Sequence, residues 1–153
     1  MAIRFSVSEW IDASPDRVFA VCSDIRNAGD WMNGLVRIEM LEGEGFEVGT
    51  RWREVRKMYG KEAAEEFEVK SCEPPHRFMI YVDGSKGASR KGEYFFDHSL
   101  SEENGGTLFA VDAVIDGMGL MGKILGPILG KAFRKGMEKD FRSMKEFIER
   151  KPA

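Results

Sequence analysis

The sequence predicts an α+β domain: a seven-stranded antiparallel sheet packed against one long C-terminal helix, with two short helices between strands 1 and 2. Three observations lead there. Residues 3–11 alternate apolar and polar side chains at the period of a half-buried strand. Six more strand-like runs lie between Leu35 and Ile115, with turn residues and no helical segment between them. Apolar residues near the C-terminus recur every three or four positions. Strands in direct succession with short connections form an antiparallel meander, whose apolar face must be covered. The C-terminal helix is the segment large enough to cover it.

In IRFSVSEWI, Ile3, Phe5, Val7 and Ile11 share one face, and Glu9 falls on it too. A helix follows: Ser14 is a good N-cap, Pro15 suits the first helical position, and Asp16 complements the positive end of the helix dipole. Arg17 stands where a capping box needs Glu or Gln. Val18, Phe19, Val21, Cys22 and Ile25 form its apolar side, and a second helical turn is expected over Ala28 to Met32, carrying Trp31. The strands then read LVRIEML, TRWREVRKM, AAEEFEVKSC, FMIYV, EYFFDHSL and TLFAVDAVI. Their spacers EGEGFEVG, YGKE, EPPHR, DGSKGASRKG and SEENGG are rich in Gly, Pro, Asn or charge. Gly126 and Pro127 break the pattern, and Pro127 fits the first turn of a helix running to about Arg150. Leu129, Phe133, Met137, Phe141, Met144 and Ile148 form its apolar stripe, opposite Lys131, Arg134, Lys135, Glu138, Lys139, Arg142, Lys145 and Glu149.

A chain of 153 residues fits a single domain, 1–153, able to bury about two thirds of its unfolded surface. With 23 Lys and Arg against 26 Asp and Glu, the net charge of −3 gives no support to nucleic-acid binding, which needs basic side chains clustered on one face. MAIRFSVSEW holds no apolar run of signal-peptide length, so the expected location is the cytoplasm, with Cys22 and Cys72 reduced and buried. The spacing of Cys22, Cys72, His76 and His98 disfavours zinc, because Cys22 and His98 have no neighbouring ligand. Gly-x-Ser-x-Gly, Walker and His-Glu-x-x-His motifs are absent, and no metal or other cofactor is expected.

IDASPDRVFAVCSDIRNAGDW at 11–31 resembles the opening of the START-like (SRPBCC, Bet v 1-like) superfamily, particularly its polyketide cyclase/dehydrase and lipid-transport branch. There an Ile-x-Ala-x-Pro element ends the first strand, a Val-Phe pair opens the helix and a Trp follows an Asp-containing turn. FEVGTRW at 46–52 is similar to the family's Val-Gly-Thr strand start, GGTLFAV at 105–111 to the Gly-Thr start of its last strand, and MKEFIE at 144–149 to the end of its long helix. The likeness covers essentially the whole chain. It implies the helix-grip fold, in which a curved sheet wraps the long helix and leaves a cavity between them. It further implies a hydrophobic or amphipathic small-molecule ligand, held by a carrier or sensor. The residues expected to line such a cavity are Val7, Trp31, Trp52, Phe67, Ile80, Phe96, Phe109, Met121, Leu125, Leu129, Phe133 and Met137. The loop EGEGFEVG lacks the dense glycine-rich loop of the plant pollen-allergen relatives, so their ligand preferences do not carry over.

Enzymes of the cyclase branch shape a reactive chain in the pocket with a few polar groups, which keeps a cyclase or dehydratase as an alternative. Its polar team in this chain is Glu9, Arg56 and His98. A buried carboxylate must be paired or have a raised pKa, so Glu9 is either partnered or an acid. Arg56 with Glu54 or Glu9 makes a structural ion pair, and His98, near the SEENGG hairpin, is a solvated rim residue or a proton-transfer group. Before Pro127, the apolar residues Met118, Leu120, Met121, Ile124 and Leu125 are expected to roof one end of the cavity, with Gly122, Gly126 and Gly130 on one side for close approach. Residues 118–153 carry +5 against −8 for 1–117, so a basic face beside this segment offers at most a transient contact with an anionic membrane. A protein-interaction module is the third alternative.

Overall fold

The computed structural model describes residues 2–150. The seven strands are β1 (Ile3–Ile11), β2 (Leu35–Glu42), β3 (Arg51–Met58), β4 (Lys61–Glu73), β5 (Arg77–Asp83), β6 (Glu93–Glu103) and β7 (Gly106–Asp116). They pair antiparallel in the order β1-β7-β6-β5-β4-β3-β2, so the meander closes back on the N-terminal strand. The register keeps one side-chain row inward across the whole sheet: Ile3 faces Ile115, Ile115 faces Tyr94, Tyr94 faces Val82 and Val82 faces Phe67. Register shifts in β2–β3 and between Val69 and Ser71 mark bulges, which bend and twist a sheet and help this one curve. The result is the helix-grip architecture.

Helix α1 (Pro15–Cys22) is capped as its sequence dictates, the Arg17 N–H donating to Ser14 Oγ at 3.2 Å. The second turn is a 3-10 helix over Ile25–Asp30 rather than Ala28 to Met32. It starts early because Asn27 bonds Asp24 twice, through its backbone N–H (3.1 Å) and its side-chain amide (2.8 Å). Trp31 therefore lies just past its end, its N–H bonded to the Ala28 carbonyl.

The long helix, α2 (Gly119–Arg150), starts before Pro127 instead of at it. Proline removes one helical N–H and is costly inside a helix. Here Pro127 and Lys123, whose carbonyl loses its donor, are both exposed, so water can satisfy that carbonyl. Gly122, Gly126 and Gly130 form the buried face of this first half, and β1 lies against it: a Cβ added to Gly126 would stand 3.5 Å from the Ile3 side chain, and one on Gly130 only 3.0 Å. The second half buries Phe141, Met144 and Ile148.

Antiparallel alternation sorts the loops into two ends. The β3–β4 and β5–β6 hairpins, the start of β1 and the start of α2 share one end; α1, the 3-10 turn and the other hairpins share the opposite end. The α1 end is filled by interlocking rings, with Phe46 edge-on to Phe19 (6.0 Å) and Phe78 (5.1 Å), and Phe109 against Phe141 (4.6 Å). A smaller core of Ile3, Val82, Tyr94, Ile115 and Met118 closes the other. Cys22 and Cys72 are free thiols, the first buried and the second half-buried.

The glycines of α2 make a direct test. Gly136 is exposed with nothing within 4 Å of an added Cβ, so Gly136→Ala is expected to raise stability by about 1 kcal/mol, or roughly 2–4 °C in Tm. Gly130→Ala should lose that gain, because the stiff β-branched Ile3 must give way. Equal gains for both variants in thermal melts would show that Ile3 does not confine the helix.

Candidate functional site

Helix α2 leans on β1, at one side of the sheet, which leaves the concave face of β3–β6 partly uncovered. Phe67, Ile80 and Phe96 point inward from β4, β5 and β6 but remain only half-buried, as do Leu129, Phe133 and Met137 on α2. Fully packed interior positions of this kind would be shut off from solvent. These six side chains face one another across the space between helix and sheet, and none of them is fully shut off from solvent. Trp52, 2% exposed, is stacked on Phe67 at 5.6 Å and 7°. Trp31 is half-buried against the core at the α1 end.

An ion cluster links β3 to α2. Arg56 on β3 donates from Nε to Glu54 Oε1 (2.6 Å) and from Nη1 to Asp140 Oδ2 (2.7 Å) on α2. Asp140 Oδ1 also accepts from the backbone N–H (3.0 Å) and side-chain amide (2.9 Å) of Asn33, whose amide reaches Ser143 as well. Glu54 and Asp140 are each 6% exposed. Burial pushes the Glu54 carboxyl up from its ordinary range by more than Arg56 pulls it down. The Trp52 indole N–H approaches Glu54 closely enough to favour its charged form but makes no hydrogen bond of normal geometry.

Directly across from Glu54 on β4 sits Glu65, also facing inward. Its Oε1 accepts from the N–H (2.8 Å) and hydroxyl (2.5 Å) of Ser89, and that hydroxyl bonds the Tyr94 phenol at 2.7 Å. Burial raises both the Glu65 carboxyl and the Tyr94 phenol. Glu65 Oε2 and the Trp31 indole N–H are buried with no hydrogen-bond partner among the described residues.

The residues singled out from sequence fall into separate places. Val7 (5% exposed) and Phe109 (2%) lie in the packed core. Met121 and Leu125 are exposed, together with Leu120 and Ile124: the buried face of this segment is its glycine row, so these side chains turn outward and do not roof the cavity. Met118 alone of that group is buried. His98 is not a solvated rim residue. It stacks on Phe78 at 4.4 Å, its Nδ1 lies 3.1 Å from the Phe96 carbonyl oxygen, and burial pushes its pKa down to about 4. Glu9 lines a shallow surface groove with Ser6, Asp112, Arg134, Glu138 and Arg142. Strands β1 and β3 are five steps apart, roughly 24 Å along the sheet, so Glu9, Arg56 and His98 do not converge. Asp140 and Glu65 were missed. Asp140 carries a signal, since it lies three residues after Met137 and four before Met144, on the apolar stripe itself.

Residues 2–149 match the family described as polyketide cyclase / dehydrase and lipid transport. The chain belongs to this family. No curated protein matches it. Among solved structures it is similar to TTHA0849 from Thermus thermophilus, at 18% identity and a TM-score of 0.79 over 98% of this chain and 99% of that one. It is similar too to Ara h 8.0201, at 15% identity and 0.78 over 99% and 100%. A third likeness is to the di-domain ARO/CYC StfQ of the steffimycin biosynthetic pathway, at 10% identity and 0.81 over 98% of this chain and 51% of that one. Identities this low establish the shared fold.

Two substitutions probe the electrostatics. Arg56→Met leaves Glu54 and Asp140 facing each other uncompensated, and is expected to cost about 3 kcal/mol at pH 7. Glu54 already has a raised folded pKa, so protonation favours the folded state and the loss should shrink at pH 5; urea titrations showing an equal or larger loss at pH 5 would contradict the assignment. His98 shifts the opposite way, from 6.5 unfolded to about 4 folded. Below pH 6.5 the unfolded chain takes the proton first, so on the order of 3 kcal/mol present above that pH is lost as pH falls toward 4. His98→Phe should flatten that part of the stability profile, and an unchanged acid slope would mean that His98 is not buried neutral.

Proposed function

We propose that the protein is a carrier or sensor holding one hydrophobic or amphipathic small molecule in the cleft between α2 and β3–β6. The observation that carries this is the set of inward-facing aromatic and aliphatic side chains left half-buried, Phe67, Ile80, Phe96, Phe133 and Met137 among them. Apolar surface of this kind gains by covering, and a concave apolar wall with a few convergent polar atoms is the usual form of a small-molecule site. The apolar body of a lipid, polyketide-like or quinone-like molecule would cover these side chains.

Carrier or sensor is favoured over cyclase or dehydratase because Glu9, Arg56 and His98 stand apart, and because Arg56 is already engaged by two carboxylates. The family description and StfQ's name keep polyketide chemistry within the family's range, and the same description includes lipid transport.

Native mass spectrometry of protein purified from cells, compared with its denatured mass, is expected to show a discrete added mass released on unfolding. Ile80→Trp, which fills the cleft, should weaken uptake of the apolar fluorophore anilinonaphthalene sulfonate about tenfold with little change in Tm. A bare mass, with no uptake of fatty acids, quinones, polycyclic phenols or the fluorophore, would turn the assignment toward a protein-interaction module.

A further inference from the structure

The outward face of α2's first half is apolar. Leu120 is 70% exposed, Ile124 64% and Ile128 67%, with Met121 and Leu125 beside them at 44% and 41%. Positions 120, 124 and 128 repeat every four residues, so they form one stripe along the helix. Soluble surfaces scatter such residues singly; a contiguous stripe of large aliphatic side chains marks a contact surface.

The charge around this stripe tells what covers it. Hairpin residues 57–61 and 84–92 share one end of the molecule with the start of α2, as Lys91 and Gly92 show by lying against Gly119 and Met118. These two hairpin stretches and residues 118–137 hold nine Lys or Arg, all exposed, and no Asp or Glu. That leaves −12 on the rest of a chain whose net charge is −3. The β3–β4 hairpin adds Met58 (50% exposed) and Tyr59 (97%) at its tip. Lys86 pairs with Asp83 (4.0 Å) and Arg134 with Glu138 (3.0 Å) just outside these stretches. An apolar stripe edged by exposed lysines, at one pole of an otherwise acidic protein, matches the interface of an anionic bilayer: aliphatic side chains enter the acyl boundary while lysines reach the headgroups. Among the described residues no helix is long and apolar enough to cross a membrane, so the contact is peripheral.

We propose that this pole docks on anionic lipid bilayers, with Leu120, Ile124 and Ile128 inserted and Lys123, Lys131 and the hairpin lysines on the headgroups. Phe67, Leu129 and Phe133 of the cleft pack with the core at this same end, so docking sets the cleft beside the lipid. The proposal stands on surface side chains and does not require the cleft to be filled.

The test is co-sedimentation of the full chain with phosphatidylcholine vesicles prepared with and without phosphatidylglycerol. Binding is expected to need phosphatidylglycerol and to fall as salt rises. The double substitution Ile124→Glu with Ile128→Glu alters two exposed positions, so its Tm should hold while vesicle binding drops about tenfold or more. Lys123→Glu with Lys131→Glu should act in the same direction and weaken the salt dependence. No phosphatidylglycerol-dependent sedimentation, or full binding by the Ile124/Ile128 double variant, overturns the proposal. So does a dimer in analytical ultracentrifugation that this variant dissociates, if vesicles are not bound. Fluorophore uptake separates the two functions: uptake without vesicle binding sinks docking and keeps the cleft, and vesicle binding without uptake does the reverse.

Discussion

The ion pair between Arg56 and Asp140 holds the middle of α2 to the far side of the sheet. At its first half the helix is held by contact with β1, where three glycines let it come close to Ile3. At its second half Phe141, Met144 and Ile148 anchor it in the core. Between these anchors the span to β3 is bridged by charge: a guanidinium held by two carboxylates, with Asn33 and Ser143 completing the bonding of Asp140 and its partner amide. Burying three charges is expensive, and well-packed apolar side chains often stabilise a core as much. What an ion cluster supplies in this position is distance and direction. It fixes where α2 meets β3.

The molecule is built differently at its two ends. At the α1 end the rings of Phe19, Phe46 and Phe78 interlock, and His98 lies flat on Phe78 as a neutral member of the stack. Such a close-packed region leaves no room for a guest. Toward the other end the inward side chains lose their cover, and the outward side chains of α2 become aliphatic and basic together. The half-buried inward side chains and the basic pole thus meet at the same end of the molecule.

Much of this was legible in the residues. The period-2 runs and their turn-rich spacers placed all seven strands within a few residues, and Ser14, Pro15 and Asp16 marked the start of α1 because capping is a local matter. That Phe67, Ile80 and Phe96 face inward followed from strand alternation, and that Phe133 and Met137 share a face followed from helical spacing. Pro127 misled, since its cost depends on whether the orphaned carbonyl meets water, and that is settled by where the helix lies. Met121 and Leu125 misled for a related reason: hydrophobicity normally points inward, but the glycine row offered a closer fit to β1, and the helix took that face as its buried one.

Sequence by itself determined the element order, the inward face of each strand and the family motifs, because these rest on periodicity and on interactions within a few residues. Tertiary structure alone decided which polar groups meet. Arg56 and Asp140 are 84 residues apart in the chain, and Glu65 reaches Ser89 across a hairpin connection. It also decided that His98 is buried while Ile124 and Ile128 are not. A side chain's partners depend on how far helix and sheet approach one another, and that distance is a property of the whole packed fold.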